Sequence, residues 1–429
     1  MSRHADLLKR HRAVLPQWLA LYYDQPIALE QGAGCYVTDA EGNRYLDLFA
    51  GILTTMTAHA LPEVVEAVRE QAGCILHSST LYLIESQIEL AEEIARLAPM
   101  DNAKVFFTTS GSEANEAALL LACTERRSHQ VLALRNSYHG RSFATMAVTG
   151  NRGWSASALS PLEVKYVHGG YRYRSPFRDM DDNAYIAACV EDLEDVIATQ
   201  TAGDVACFIA EPIQGVGGFA TPPDGLFGAM KEVLDAHGIL YITDEVQTGW
   251  GRTGEHFWGI QAHGVTPDAM TFAKGLGNGL TIAGVVARGD LMDSIDANSI
   301  STFGGNPLSC AGALANLRYL LEHDLQGNAH RVGQHMLNTL KGVADDHPGI
   351  GEVRGKGLMM GIELVRPGTR EPDPVAAKRA LEGLRTRGVL IGKGGLHGNV
   401  LRIGPPMSLT MDEADAGLQA ITEALGELA

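Results

Sequence analysis

From position 104 onward the chain alternates short apolar runs with stretches whose apolar residues recur at helical spacing. That alternation narrows the fold more than any other property of the sequence. Parallel strands need long crossovers, usually helices, so both faces of such a sheet are covered and its strands read as unbroken apolar runs. The runs at 105–108, 131–134, 207–210, 240–243, 269–272 and 282–287 predict an α/β fold with a mostly parallel central sheet. Ligands collect at the carboxyl ends of the strands in open sheets of this kind.

The flanks are predicted in the same way. A first helix is followed by alternating segments at 34–39 and 44–48, which predict a hairpin around Glu41-Gly42-Asn43. Residues 62–71 and 84–97 read as packing helices, and a long helix follows Asn306-Pro307 to about 321. A small α/β unit then carries strands near 357–364 and 400–403 and a terminal helix after Thr410. The expected organisation is an N-terminal segment, 1–60, that joins the small domain, a large domain over 61–322 that carries the site, and a C-terminal small domain over 323–429.

Composition excludes some functions. With 34 basic and 51 acidic residues the net charge is −17, so the basic face of a nucleic-acid binder is not expected. No stretch approaches the roughly 20 apolar residues of a membrane span. The first ten residues carry charges where a signal peptide needs an apolar core. Six cysteines without a Cys-x-x-Cys pair predict buried free thiols and a cytoplasmic protein.

Five stretches carry polar residues at predicted strand ends or helix starts. Thr109-Ser110-Gly111-Ser112-Glu113-Ala114-Asn115 opens an Ala- and Leu-rich helix. Its free amides and dipole make an anion site, although the same pattern also serves as a simple cap. Tyr138, in Ser137-Tyr138-His139-Gly140-Arg141, either stacks on a flat heterocycle or fills the core. Glu211 and Asp244 end two strands, and neighbouring carboxylates need a shared cation or proton. A pyridinium on Asp244 supplies it, with Glu211 as support; a divalent metal is the competitor, but no histidine pair at ligand spacing accompanies the acids.

Lys274 follows the run at 269–272. A free lysine is too protonated to attack a carbonyl at neutral pH, and burial at an apolar strand end removes that obstacle. Ser301-Thr302-Phe303-Gly304-Gly305-Asn306-Pro307 either completes a phosphate cup with its hydroxyls or caps the next helix. Together these stretches describe a site for pyridoxal phosphate, with Lys274 joined to its aldehyde as an imine and Asp244 facing its ring nitrogen.

The combination SGSEAN, YHG, EPIQG, DEVQTGWGRTG, FAKGLGNG and STFGGNP, between about Glu30 and Arg402, resembles the class III pyridoxal-phosphate aminotransferases. These include ornithine, 4-aminobutyrate, β-alanine:pyruvate and mitochondrial-type alanine:glyoxylate enzymes. The resemblance implies fold type I and a homodimer with active sites at the subunit interface. It implies that Ser110, Gly111 and Ser112 hold the phosphate, Tyr138 stacks on the ring and Val246 packs on its other face. Glu211 and Asp244 would serve the pyridine nitrogen, Gln247 the ring hydroxyl oxygen, and Lys274 the imine. Thr302 would reach the phosphate of the partner subunit.

Arg402 matches the arginine that binds the α-carboxylate in these enzymes. In ornithine and 4-aminobutyrate aminotransferases a glutamate masks that arginine, and here the position is Val216. The resemblance is therefore to the alanine:glyoxylate and ω-amino-acid:pyruvate branch, with pyruvate or glyoxylate as acceptor. Arg141 resembles a residue of bacterial 4-aminobutyrate enzymes that binds a distal carboxylate. The alternatives are a 4-aminobutyrate or ornithine type using 2-oxoglutarate, a phospho-lyase or aminomutase on the same fold, and a binding protein without catalysis. A further departure, Thr57-Ala58-His59 where the family commonly has glycine before histidine, predicts an altered pocket wall.

Overall fold

The computed structural model describes residues 3–428. Positions 1–2 and 429, at the outer ends of the first and last expected segments, lie outside the described residues. Seven strands form the central sheet in the order Ala103–Thr108, Ala283–Arg288, Ala269–Phe272, Leu240–Asp244, Cys207–Ala210, Gln130–Leu134, Glu163–Val167. All six predicted strands are present.

The pairings from Ala269–Phe272 across to Glu163–Val167 are parallel. Ala283–Arg288 runs antiparallel to both of its neighbours, with Ala283 opposite Thr108 and Gly284 opposite Phe272. Its amino end therefore arrives where the other strands end. Glu163–Val167 was not predicted because it lies at the sheet edge, where Glu163 is exposed and only Val167 is buried. An edge strand of that kind lacks the continuous apolar run that marks the interior ones.

The interior strands Gln130–Leu134, Cys207–Ala210 and Leu240–Asp244 are buried throughout. Phe208, Tyr241 and Phe272 pack into one core, while Ala114, Ala118 and Leu121 of the helix Gly111–Arg126 pack into the other. The small residues on that helix let it approach the sheet closely, which matters because its first turn enters the site.

Around this sheet the helices follow their start signals. Pro307–Glu322 is capped by Asn306, whose side chain accepts from Ser309 N at 3.0 Å, and it packs on Pro62–Cys74 and Glu85–Leu97. Thr410 and Glu413 form a capping box on Met411–Gly426. The predicted hairpin pairs Tyr36–Asp39 with Arg44–Asp47; Asp39 Oδ1 accepts from Glu41 N and Asn43 N, both at 2.9 Å. Val389–Leu390 joins Arg44–Asp47 in parallel, so both ends of the chain share one sheet. A further antiparallel sheet combines Ile350–Lys356, Met359–Leu364, Val400–Ile403 and Gly392–Gly394. All six cysteines are unpaired, and Cys74 departs from the expected burial by lying exposed. Among the described residues no helix is long and apolar enough to cross a membrane.

Candidate active site

A cavity of about 690 Å³ opens where the strands end, lined by residues 110–112 and 138–141 and by Glu211, Asp244, Val246, Gln247 and Lys274 among others, but by none of residues 301–307. Lys274 lies on its wall, two residues beyond Ala269–Phe272 and at the start of the single turn Lys274–Gly277. Its backbone is left-handed, with φ +41°. A lysine held there costs on the order of 1–3 kcal/mol and persists only where its surroundings impose it. Gly275 shows how tight those surroundings are, since a Cβ there would meet Met56 Sδ at 2.7 Å. Burial pushes the Lys274 amine below its ordinary pKa; Asp244 and Glu211 draw it back in part, and Arg402 adds to the depression.

Asp244 ends the strand Leu240–Asp244 and is fixed from three directions. Its Oδ2 accepts from Asn115 Nδ2 at 2.7 Å and lies 2.8 Å from His139 Nδ1, while Oδ1 accepts from Val246 N at 3.1 Å. Asn115 is oriented in turn by Thr271 Oγ1, which donates to its Oδ1 at 2.6 Å, and by the His139 carbonyl at 2.8 Å. The roles of Asn115 and His139 were missed in the sequence, although both stand in the quoted motifs. One signal was available: an asparagine inside an Ala- and Leu-rich helix is unfavourable and implies a buried polar partner.

Glu211 does not touch Asp244. It accepts from Tyr138 N at 2.9 Å and Gly215 N at 2.8 Å, so the segment Tyr138-His139 links the two carboxylates. Burial raises its pKa to about 7, against a downward pull from His139 and with a further rise from Asp244. Glu245 turns away from the cavity and accepts from Gly259 N at 3.0 Å and Ile260 N at 2.8 Å, with Thr248 as a third donor. Its pKa is also raised to about 7, by burial above all.

The first turn of Gly111–Arg126 faces the cavity. Ser110 caps it by accepting from Glu113 N at 3.2 Å. Helix starts leave their leading amides without partners inside the helix, here those of Gly111 and Ser112. Ser112 Oγ accepts from Arg141 N at 3.1 Å, and a Cβ on Gly140 would strike that oxygen at 2.5 Å. Glu113 folds back to accept from Thr109 N at 2.8 Å and from Ser301 Oγ at 2.8 Å. Tyr138 lies on the wall with its ring edge-on to Trp154, 5.4 Å between centroids.

Residues 20–425 match the family aminotransferase class-III. The chain belongs to that family. It is 38% identical to alanine–glyoxylate aminotransferase 2 homolog 2, mitochondrial, of Arabidopsis thaliana, over 100% of this chain and 88% of the relative. Among solved structures it resembles an (S)-enantioselective omega-transaminase from Thermomicrobium roseum, with a TM-score of 0.92 and 33% identity, covering 100% of this chain and 99% of the other. It also resembles a phospholyase from Arthrobacter in complex with phosphoethanolamine, with a TM-score of 0.91 and 34% identity, covering 99% of this chain and 100% of the other.

The family's cofactor is pyridoxal 5′-phosphate, and the donor set of this class III chain fits it. The cavity offers an amine, an oriented carboxylate and a helix start as an anion site. Gln247, also on the wall, has a buried Oε1 without a hydrogen-bond partner among the described residues, an unmet polar atom that a ligand group can satisfy. Val246 closes the cavity beside Gly111, where a Cβ would meet both of its methyl carbons at 3.2 Å.

Three further expected residues are Arg141, Arg402 and Thr302. Arg141 is exposed on the cavity wall. Arg402 is buried behind the wall: its Nη1 donates to Gly215 O at 3.0 Å, and its guanidinium lies 4.8 Å from the Phe49 ring centroid and 5.3 Å from that of Phe219. Thr302 is exposed and lies outside its own chain's cavity lining. Thr57, Ala58 and His59 are not among the residues that line the cavity. Thr57 Oγ1 donates to Asn316 at 2.7 Å, His59 pairs with Asp47 at 2.8 Å, and the nearby wall residue is Thr54.

Proposed function

We propose that this aminotransferase moves an amino group from alanine or a short ω-amino acid to pyruvate or glyoxylate. The observation that carries this reading is Arg402. It is a buried guanidinium whose charge reaches Lys274, its Nε has no hydrogen-bond partner among the described residues, and the masking glutamate is replaced by Val216. An unmasked planar guanidinium accepts the carboxylate of donor and acceptor alike, so one site serves both half-reactions. The name of the plant relative points the same way.

Pyridoxal phosphate, when bound, supplies the electron sink that makes the hydrogen on the amine-bearing carbon acidic. In this reading Lys274 Nζ, its proton affinity lowered by burial, takes that hydrogen from the donor and returns one to the acceptor-derived carbon. Asp244, clamped by Asn115, His139 and Val246 N, would hold a proton on the ring nitrogen. The amides of Gly111 and Ser112 would hold the phosphate, Tyr138 and Val246 would confine the ring, and Gln247 would bond the ring hydroxyl oxygen. Glu211 holds Tyr138 and Gly215 in register behind them. Arg141 faces the distal end of longer donors.

A homodimer with shared sites is part of the proposal. Leu81 and Leu83 are 75% and 94% exposed, and Ile75, Leu76, Tyr82, Ile300 and Phe303 are exposed as well. Exposed large apolar residues gathered in one stretch of chain, with the Phe303 ring 5.4 Å from that of His77, support an interface there, and Thr302 lies between Ile300 and Phe303 in sequence. The division at 1–60, 61–322 and 323–429 is proposed with it, supported by the sheet that joins Val389–Leu390 to Arg44–Asp47. Cytoplasmic residence is likewise proposed, on the six unpaired cysteines.

The test is a panel of amino donors against pyruvate, glyoxylate and 2-oxoglutarate with both products measured. Efficient turnover only with 2-oxoglutarate overturns the acceptor assignment. Ammonia release from an amino-alcohol phosphate without any oxo acid decides for a lyase.

A further inference from the structure

We propose that Arg354, anchored by Glu363, is a positioning residue for the carboxylate site at Arg402, acting through the loop 215–219. The inference rests on the reading of Arg402 given above.

Gly215 O is a shared acceptor. It receives Arg402 Nη1 at 3.0 Å and also the N–H groups of Gly218 at 3.2 Å and Phe219 at 3.4 Å. The orientation of the guanidinium is thus tied to the shape of one turn. That turn is strained, with φ +96° at Gly218 and +51° at Phe219. A phenylalanine in the left-handed region persists only where its surroundings impose it. Here the imposed ring is one of the two that flank Arg402.

Arg354 supplies the constraint. Its Nε and Nη2 both donate to Gly218 O, at 3.1 and 2.8 Å. Its Nη1 donates to Glu363 Oε2 at 2.7 Å and also pairs with Glu352. Glu363 is fully buried and is held by Arg174 Nε at 2.7 Å, by Asn399 Nδ2 at 3.3 Å and by the Tyr171 hydroxyl.

Two guanidiniums and two carboxylates balance in charge, and the remaining arm of Arg354 ends on a single peptide carbonyl. Buried ion pairs give little net stability over apolar packing, so such a cluster is better explained by the geometry it fixes. The backbone supports this. Gly361, on the strand that carries Glu363, pairs with Arg402 across the sheet, and a Cβ on Gly361 would meet Gly218 O at 2.6 Å. The clamp, the turn and Arg402 therefore close on one another.

The test uses the cofactor-loaded protein and its Arg354→Met, Arg354→Lys and Glu363→Gln variants. Alanine and 1-phenylethylamine, which lacks a carboxylate, are compared as donors, and the affinity for propanoate is measured by calorimetry. The expected result for Arg354→Met is a rise in KM for alanine and pyruvate on the order of tenfold, with a matching loss of propanoate affinity, kcat nearly kept and the amine changed by less than about twofold. Arg354→Lys keeps the charge but not the fork, and Glu363→Gln frees the clamp; both are expected to shift the same ratio less. Should Arg354→Met not fold, the alanine-to-amine ratio of Arg354→Lys decides.

Equal changes for alanine and the amine, or an unchanged propanoate affinity in a folded variant, overturn the proposal. Arg402→Ala is run beside them. If it shows no selectivity for carboxylates, the reading of Arg402 itself fails; if it is selective and the Arg354 variants are not, only the clamp fails.

Discussion

Asp244 and His139 meet at 2.8 Å, Oδ2 to Nδ1, with both side chains buried. Because the same oxygen accepts from Asn115, and Oδ1 from Val246 N, the carboxylate cannot turn without breaking a contact on one side or the other. Its plane is set before any ligand arrives.

Asn115 is the member of that arrangement with the most to lose. Asn115→Ala removes a donor to Asp244 and leaves Thr271 Oγ1 and the His139 carbonyl without their partner. The expected cost is about 1–3 kcal/mol for each buried polar group left unmet. It is read as a lower melting temperature and faster loss of cofactor on dialysis. Unchanged retention would show that Asp244 is held adequately by His139 and Val246 N.

Lys274→Ala is expected to abolish both the visible absorbance of the purified protein and its turnover. In the wild type, burial lowers the amine pKa from 10.5, so the neutral form becomes available at lower pH than for an exposed lysine. The rate of a donor half-reaction that needs the neutral amine should therefore rise with pH and level off through a midpoint below 10.5. A rate that falls across the same range excludes Lys274 as the base.

The two arginines separate by substrate. Arg402→Ala should cost on the order of 2–3 kcal/mol in kcat/KM for every α-carboxylate partner, as expected for a charged hydrogen-bonded contact. Arg141→Ala should harm only donors with a distal carboxylate, because the residue lies on the open side of the cavity. Kinetics over alanine, β-alanine and 4-aminobutyrate distinguish the two.

Glu245 gives a stability prediction with a definite sign. Its folded pKa is raised from 4.5 to about 7. Between those values the folded protein keeps a proton that the unfolded chain has released, so this group's contribution falls as pH rises through the window. Glu245→Gln removes that dependence. The stability of the wild type relative to the variant should decline by roughly 3 kcal/mol from the acid side to the alkaline side of the window, measured by urea unfolding at several pH values.

Leu83→Glu tests the assembly. Placing a charge on the most exposed leucine of the apolar cluster should shift the protein from dimer to monomer in sedimentation and weaken cofactor retention. Retention without change after dissociation would show that Thr302 contributes nothing to a partner's site.

Much of the cavity was legible in the sequence because strand ends and helix starts are local events. Glu211, Asp244 and Lys274 follow apolar runs that could only be interior strands, and Ser110 precedes a helix whose composition fixes its start. What stayed hidden was nonlocal. Asn115 and Asp244 meet only because the helix Gly111–Arg126 crosses the sheet, and no spacing records that. The reversal of Ala283–Arg288 was invisible because an apolar run reads the same in either direction. Glu245, beside Asp244 in sequence, accepts instead from the backbone at Gly259 and Ile260, partners that no local spacing records.

The pairing of Val389–Leu390 with Arg44–Asp47 bears on how the protein comes into being on the ribosome. A hairpin made early waits, with one edge open, until nearly the whole polypeptide has emerged to supply its last neighbour. Loop closure over such a span is slow, and unfilled sheet edges invite association with other nascent chains. Synthesis therefore passes through a long stage in which the first hairpin must be shielded until the late strand docks.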